Sequence, residues 1–101
     1  MKAEELYIEV LRVVEEVTGV PASSILTSNC EEHVDARHIL VNALCNYGFS
    51  DTRIAGMTKL TRPCICIIRN NFKYRVKRYL VNLYYEEVLH KIRSNDIVKV
   101  G

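Results

Sequence analysis

The sequence predicts an all-α domain of five to six helices that contains a helix-turn-helix and ends in a long C-terminal helix. Three observations predict it. Apolar residues recur at three- and four-residue spacing along most of the chain. Cap and stop residues cut that pattern into segments of helical length. The composition is that of a folded globule, with 49% hydrophobic and 26% charged residues, Gly 4 and Pro 2. A chain of 101 residues makes one domain, so residues 1–101 are read as a single unit. No run approaches the roughly 18 consecutive apolar residues of a membrane span. The opening Met1-Lys2-Ala3-Glu4-Glu5 is acidic where a signal peptide would be basic and then apolar. The protein is therefore expected to be soluble and cytoplasmic, with no membrane partner.

The first helix is expected from Glu4 to Val17, where Leu6, Val10, Val13, Val14 and Val17 share one face and acids occupy the other. Gly19 stops it, and Pro21 opens a short second helix carrying Ile25 and Leu26. Thr27, Ser28 and Asn29 are turn and cap residues. A third helix follows from about Glu31 to Tyr47 with Ala36, Leu40, Ala43, Leu44 and Tyr47 as its stripe and Gly48 as its stop. Ser50 then caps a short helix through Ala55, Gly56 to Leu60 form a turn, and Thr61 caps another helix whose first turn accepts Pro63. Two short helices about a tight turn, over residues 50–73, outline a helix-turn-helix.

On the helix after Thr61, at about 100° per residue, Arg62, Cys66, Arg69, Asn70 and Lys73 fall within an arc of about 100°. Ile65, Ile68 and Phe72 form a separate apolar stripe, and Ile67 fits neither, so contact with the C-terminal helix is expected for it. The last helix is placed from about Tyr74 to Arg93 as an extension over residues 74–93. One of its stripes is Val76, Leu80, Leu83 and Tyr84, and the other is Val81, Tyr85, Val88, Leu89 and Ile92. A helix apolar on two sides is either sandwiched in its own domain, with the first helix covering one stripe, or shared with a second copy in a homodimer. From Ser94 to Gly101 the alternation of apolar and polar residues is too brief to assign.

Charge is distributed unevenly. Residues 1–35 hold two cations and eight acids, while residues 36–101 hold twelve cations and four acids. Nine of those cations lie between Arg37 and Arg78, with Asp51 the only acid in that stretch. A helical domain with one basic half is the outline of a polyanion binder.

The four cysteines, Cys30, Cys45, Cys64 and Cys66, contain no C-x-x-C pair and are expected as free thiols. A zinc site from Cys30, His33 and Cys64/Cys66 is disfavoured, because C-x-C on a helix offers poor tetrahedral geometry. His33, His38 and His90 stand far apart in sequence and outside any nucleophile or metal motif. No catalytic residue, metal or cofactor is expected, and the chain is not read as an enzyme.

The run Ala36-Arg37-His38-Ile39-Leu40-Val41-Asn42-Ala43-Leu44, followed by Phe49-Ser50 and Arg53-Ile54-Ala55, resembles the C-terminal DNA-binding domain of the bacterial replication initiator DnaA. Val13 to Leu26 resembles the opening of that domain, and the likeness covers about two-thirds of the chain, from Leu6 to Phe72. The resemblance implies that Arg37 reaches into a groove of the DNA. It implies that Lys59, Thr61 and Arg62 stand where the family carries its Arg-Asp-His-Thr/Ser-Thr signature, and that Arg69 makes a phosphate contact later in the recognition helix. In this chain the signature region reads Leu60-Thr61-Arg62-Pro63-Cys64-Ile65, without the Asp-His pair. The loop before the long helix carries Glu31 and Glu32 where the family is basic. Box specificity is therefore not carried over. The chain has no G-x-x-x-x-G-K-[ST], so no nucleotide chemistry is carried over either.

The expected function is sequence-specific binding of double-stranded DNA, in regulation of replication or transcription. Arg37, Lys59, Thr61, Arg62, Arg69, Asn70 and Lys73 are the expected contacts, and Lys73, Arg75, Lys77 and Arg78 the backbone charge. The alternative is a helical protein-interaction (dimerisation) module that keeps the fold without binding DNA.

Overall fold

Six helices and no strand make up the described residues, 3–94, of the computed structural model: α1 (Ala3–Thr18), α2 (Ala22–Ile25), α3 (Glu31–Asn46), α4 (Asp51–Thr58), α5 (Arg62–Arg75) and α6 (Tyr79–Ser94). The fold is the small all-α domain that the periodicity predicts. The alternating segment after Ser94, and the two residues before Ala3, lie outside the described residues.

α3 is the central helix. Ala36, Ile39, Leu40, Val41, Ala43 and Leu44 are all buried, which takes in far more than one stripe. α1, α2, α4, α5 and α6 all pack against it. An apolar mid-section with two small alanines lets five neighbours approach one rod closely. α1 contributes Val10, Val13 and Val14, α5 contributes Ile65, Ile68 and Phe72, and α6 contributes Val81, Val88 and Ile92. Phe72 meets Tyr85 edge to face at 4.9 Å, joining α5 to α6 inside the same core.

Helix ends are closed by local chemistry. The Thr18 hydroxyl donates to the Val14 carbonyl at 2.7 Å and accepts from the Val20 amide at 3.2 Å, while Gly19 takes φ 76°. Glu15 accepts from the Ala22 amide at 2.6 Å and so closes the start of α2 from the preceding helix. The N-cap of α3 is Cys30, one residue beyond the expected cap residues. It makes no side-chain cap bond, and Glu31 and Glu32 meet the exposed amide end instead.

Two expected boundaries are corrected. α4 does not stop at Ala55: it runs through Gly56 to Thr58, and the left-handed residue that ends it is Lys59. α5 does not end near Lys73, nor does the last helix begin at Tyr74. α5 continues to Arg75, and a tight turn over residues 76–78 precedes α6. No glycine, proline or positive φ marks that turn. Its clamp is tertiary, with Asp35 of α3 accepting from Arg75 at 2.5 Å and from Arg78 at 3.3 Å, and Arg78 also reaching Glu31 at 3.0 Å. Of the two α6 stripes, the one holding Val81, Val88 and Ile92 is sandwiched against α1 and α3, whereas Leu80 and Leu83 face outward.

Candidate nucleic-acid interface

α4 and α5 are joined by only Lys59, Leu60 and Thr61. The turn repeats the device seen after α1. The Thr58 hydroxyl donates to the Ile54 carbonyl at 2.7 Å and accepts from the Leu60 amide at 3.3 Å, and the residue between them is left-handed. At the first turn glycine fills that place, and here Lys59 does, at φ 67°. A side chain there costs about 1 kcal/mol relative to glycine. Lys59→Gly is therefore expected to stabilise the fold by up to ~1 kcal/mol. Urea denaturation checks it, and a lowered midpoint would show that the lysine side chain itself supports the turn.

The turn ends in two caps that fix where α5 begins. The Thr61 hydroxyl accepts from the Cys64 amide at 3.3 Å, and Pro63 occupies a first-turn site where no amide is needed. At the far side, the Ser50 hydroxyl accepts from the Arg53 amide at 3.2 Å and starts α4. Ile65, Ile68 and Phe72 then anchor α5 on the core. Its opposite side is left in solvent.

On that side Arg62, Cys66, Arg69, Asn70 and Lys73 are all exposed, as the angular spacing predicts, with Thr61 and Lys59 exposed at the leading end. Six of the seven expected contact residues thus share one surface. Arg69 is engaged there, its guanidinium donating to Asp51 of α4 at 2.7 Å. An exposed pair of this kind is worth about 0–1 kcal/mol and yields readily to a stronger anion. Asn70 donates to the Cys66 sulfur at 3.4 Å.

Arg37 stands apart from this group. It lies on α3, with Nε donating to the Ile25 carbonyl at 2.8 Å and a terminal nitrogen to the Ser28 carbonyl at 2.5 Å. Its guanidinium closes the end of α2 and the following loop. The groove contact implied by resemblance therefore meets a side chain already committed to backbone.

From Thr52 to Tyr85 the chain has eight Lys and Arg and no Asp or Glu. Three of the eight are occupied: Arg69 by Asp51, and Arg75 and Arg78 by Asp35. Arg75 and Arg78, which the sequence assigns to backbone charge, also clamp the α5–α6 turn. Among the described residues Arg53, Lys59, Arg62, Lys73 and Lys77 have no carboxylate at ion-pair distance and are exposed. Lys73 and Lys77 bracket the Tyr74 ring at 5.1 and 5.8 Å.

Sequence reasoning misplaced one exposed residue of this surface, Ile67, and passed over another, Tyr74. Ile67 was expected against the C-terminal helix and is 59% exposed instead. The signal was present in its angular position, outside both stripes. The four cysteines are unpaired, with Cys30 and Cys66 exposed and Cys45 and Cys64 half-buried. Among the described residues no three His, Cys, Asp or Glu side chains gather where they could hold a metal ion, and no helix is long and apolar enough to cross a membrane. Compared with known proteins, the chain matches no family model, no curated protein and no solved structure.

Proposed function

We propose that this chain is a cytoplasmic, sequence-specific binder of double-stranded DNA that docks α5 in the major groove and regulates replication or transcription. The observation that carries the reading is the outward side of α5. A capped three-residue turn presents it, Arg62, Asn70 and Lys73 stand exposed on it, and no acid occurs between Thr52 and Tyr85. Arg62 and Asn70 bear the donor patterns that read guanine and adenine edges, and Lys59, Lys73, Lys77 and Arg53 supply phosphate charge around them. The resemblance of residues 6–72 to the initiator's DNA-binding domain supports the same docking.

The test is fluorescence anisotropy of a labelled duplex against salt. Five exposed cations without a carboxylate partner among the described residues predict a log–log slope between about −3 and −5. Lys73→Ala is expected to reduce the slope by about one and to weaken binding about fivefold. Absence of salt-sensitive association with duplex DNA ends the reading.

A second reading rests on α6. Tyr79, Leu80 and Leu83 are 76%, 56% and 44% exposed on the side away from Val81, Val88 and Ile92. Such a face suits a homodimer, and the module would then act through protein contact without DNA. Sedimentation equilibrium separates the two, since this reading requires a tight dimer that Leu83→Glu dissociates.

A further inference from the structure

Base reading by α5 has a constraint that its charge alone does not reveal. With the guanidinium of Arg69 held by Asp51 at 2.7 Å, the other exposed side chains from Arg62 to Asn70 are Arg62, Pro63, Cys66, Ile67 and Asn70. Of these, Ile67 is the anomaly. It is a β-branched aliphatic at 59% exposure on a helix whose other apolar anchors, Ile65, Ile68 and Phe72, are buried. At about 100° per residue it lies roughly 60° beyond Asn70 and at least about 100° from the buried stripe, so no adjustment of α5 on the core covers it.

Single exposed aliphatic residues need no explanation in general. The surroundings of this one narrow its partner. Its neighbours one turn away are Pro63, Asn70 and Asn71, and the next exposed apolar residue on that side, Tyr74, is two turns on. A protein surface closing over both would have to supply hydrogen-bond partners for the two exposed asparagine amides between them. The acid-free run from Thr52 to Tyr85 favours instead an anionic, ridged surface. In the major groove of DNA that surface carries one apolar group, the 5-methyl of thymine, beside the N6/N7 edge of its paired adenine. Asn70 sits three residues from Ile67 on the same side of α5, and its Nδ2 donates to the Cys66 sulfur at 3.4 Å. That bond orients the carboxamide and leaves its oxygen and a second N–H for an adenine edge.

We propose that Ile67 determines specificity toward thymine, packing on a thymine methyl in the major groove while Asn70 takes a neighbouring adenine. The claim rests on the DNA-binding reading and adds that the recognised site contains an A·T step read through its methyl group.

Deoxyuridine tests it, because replacing thymine by uracil removes the methyl and leaves every hydrogen-bonding group in place. Duplexes bound by the full chain are selected from a random pool, and each thymine of the tightest one is replaced in turn. One replacement is expected to weaken wild-type binding about fourfold, the worth of one buried methyl group. Ile67→Ala, a surface change whose folding circular dichroism verifies, should bind the thymine duplex as weakly and be indifferent to that replacement. Ile67→Val should fall between. A selected duplex on which no uracil replacement alters wild-type affinity overturns the proposal and leaves DNA binding standing, as does an Ile67→Ala variant that stays fully sensitive to uracil. A pool that yields no bound duplex overturns the DNA reading, and this proposal with it.

Discussion

Arg37→Ala is expected to destabilise the fold by about 2–4 kcal/mol while leaving DNA affinity of the folded protein within about threefold of wild type. The reason lies in what the guanidinium touches. Two charge-assisted bonds, to the carbonyls of Ile25 at 2.8 Å and Ser28 at 2.5 Å, satisfy the end of α2 and its exit loop. α2 has four residues, far too few to stand without tertiary support. Its Ile25 is fully buried, so loosening the loop also loosens a core side chain. Arg37→Lys should recover less than half of the loss, because a single ammonium cannot span both carbonyls in the geometry of a planar fork. Thermal denaturation gives the first number, and anisotropy below the transition gives the second. The opposite result, an unchanged melting temperature with binding abolished, would place Arg37 on the DNA and return the family's assignment to it.

Arg37 also shows where sequence reading reaches its limit. The helices themselves were legible, because caps and periodicity are local. Ser50, Thr61 and Pro63 each sit where their chemistry placed them, and the buried stripe of α5 is the one that the spacing predicts. The failures share a cause in contacts distant in sequence. Asp35 clamps Arg75 and Arg78 from about forty residues away, breaking a helix that carries no breaker of its own. Gly56 reads as a turn, yet Ile54 and Thr58 on either side of it are buried, and that packing carries α4 past it to Lys59.

The candidate interface divides in the same way. That Arg62, Asn70 and Lys73 share a side of α5 is arithmetic on one helix, and the fold leaves that side open. Which cations remain available is a tertiary matter. Arg69, Arg75 and Arg78 look equal to Arg62 in the sequence, and each meets a carboxylate on another helix. Ile67 inverts the case: its outward position could be read from the wheel, but its bareness depended on α6 packing elsewhere.

Acid is expected to weaken the fold through His38, and this second effect can be isolated. The ring is half-buried on α3, and its Nδ1 is buried with no hydrogen-bond partner. Burial, with the charge of Arg75 next and Arg37 adding to it against the opposing carboxylate of Asp35, pushes the imidazole down to about 4 from its ordinary 6.5. The folded chain therefore keeps the ring neutral down to about pH 4, whereas the unfolded chain protonates it near pH 6.5. Between those values the unfolded state binds more protons, so stability rises with pH. The contribution is complete above pH 6.5 and is lost as the pH falls toward about 4. Allowing for the solvent that still reaches the ring, the loss is about 2 kcal/mol. Urea denaturation of wild type and His38→Gln at pH 7.5 and 4.5 isolates it, since every other ionisable group is common to both proteins. Wild type should lose about 2 kcal/mol more than the variant over that interval. Equal losses would mean that the folded protein admits the proton at His38, with Arg75 and Arg37 too well screened to oppose it.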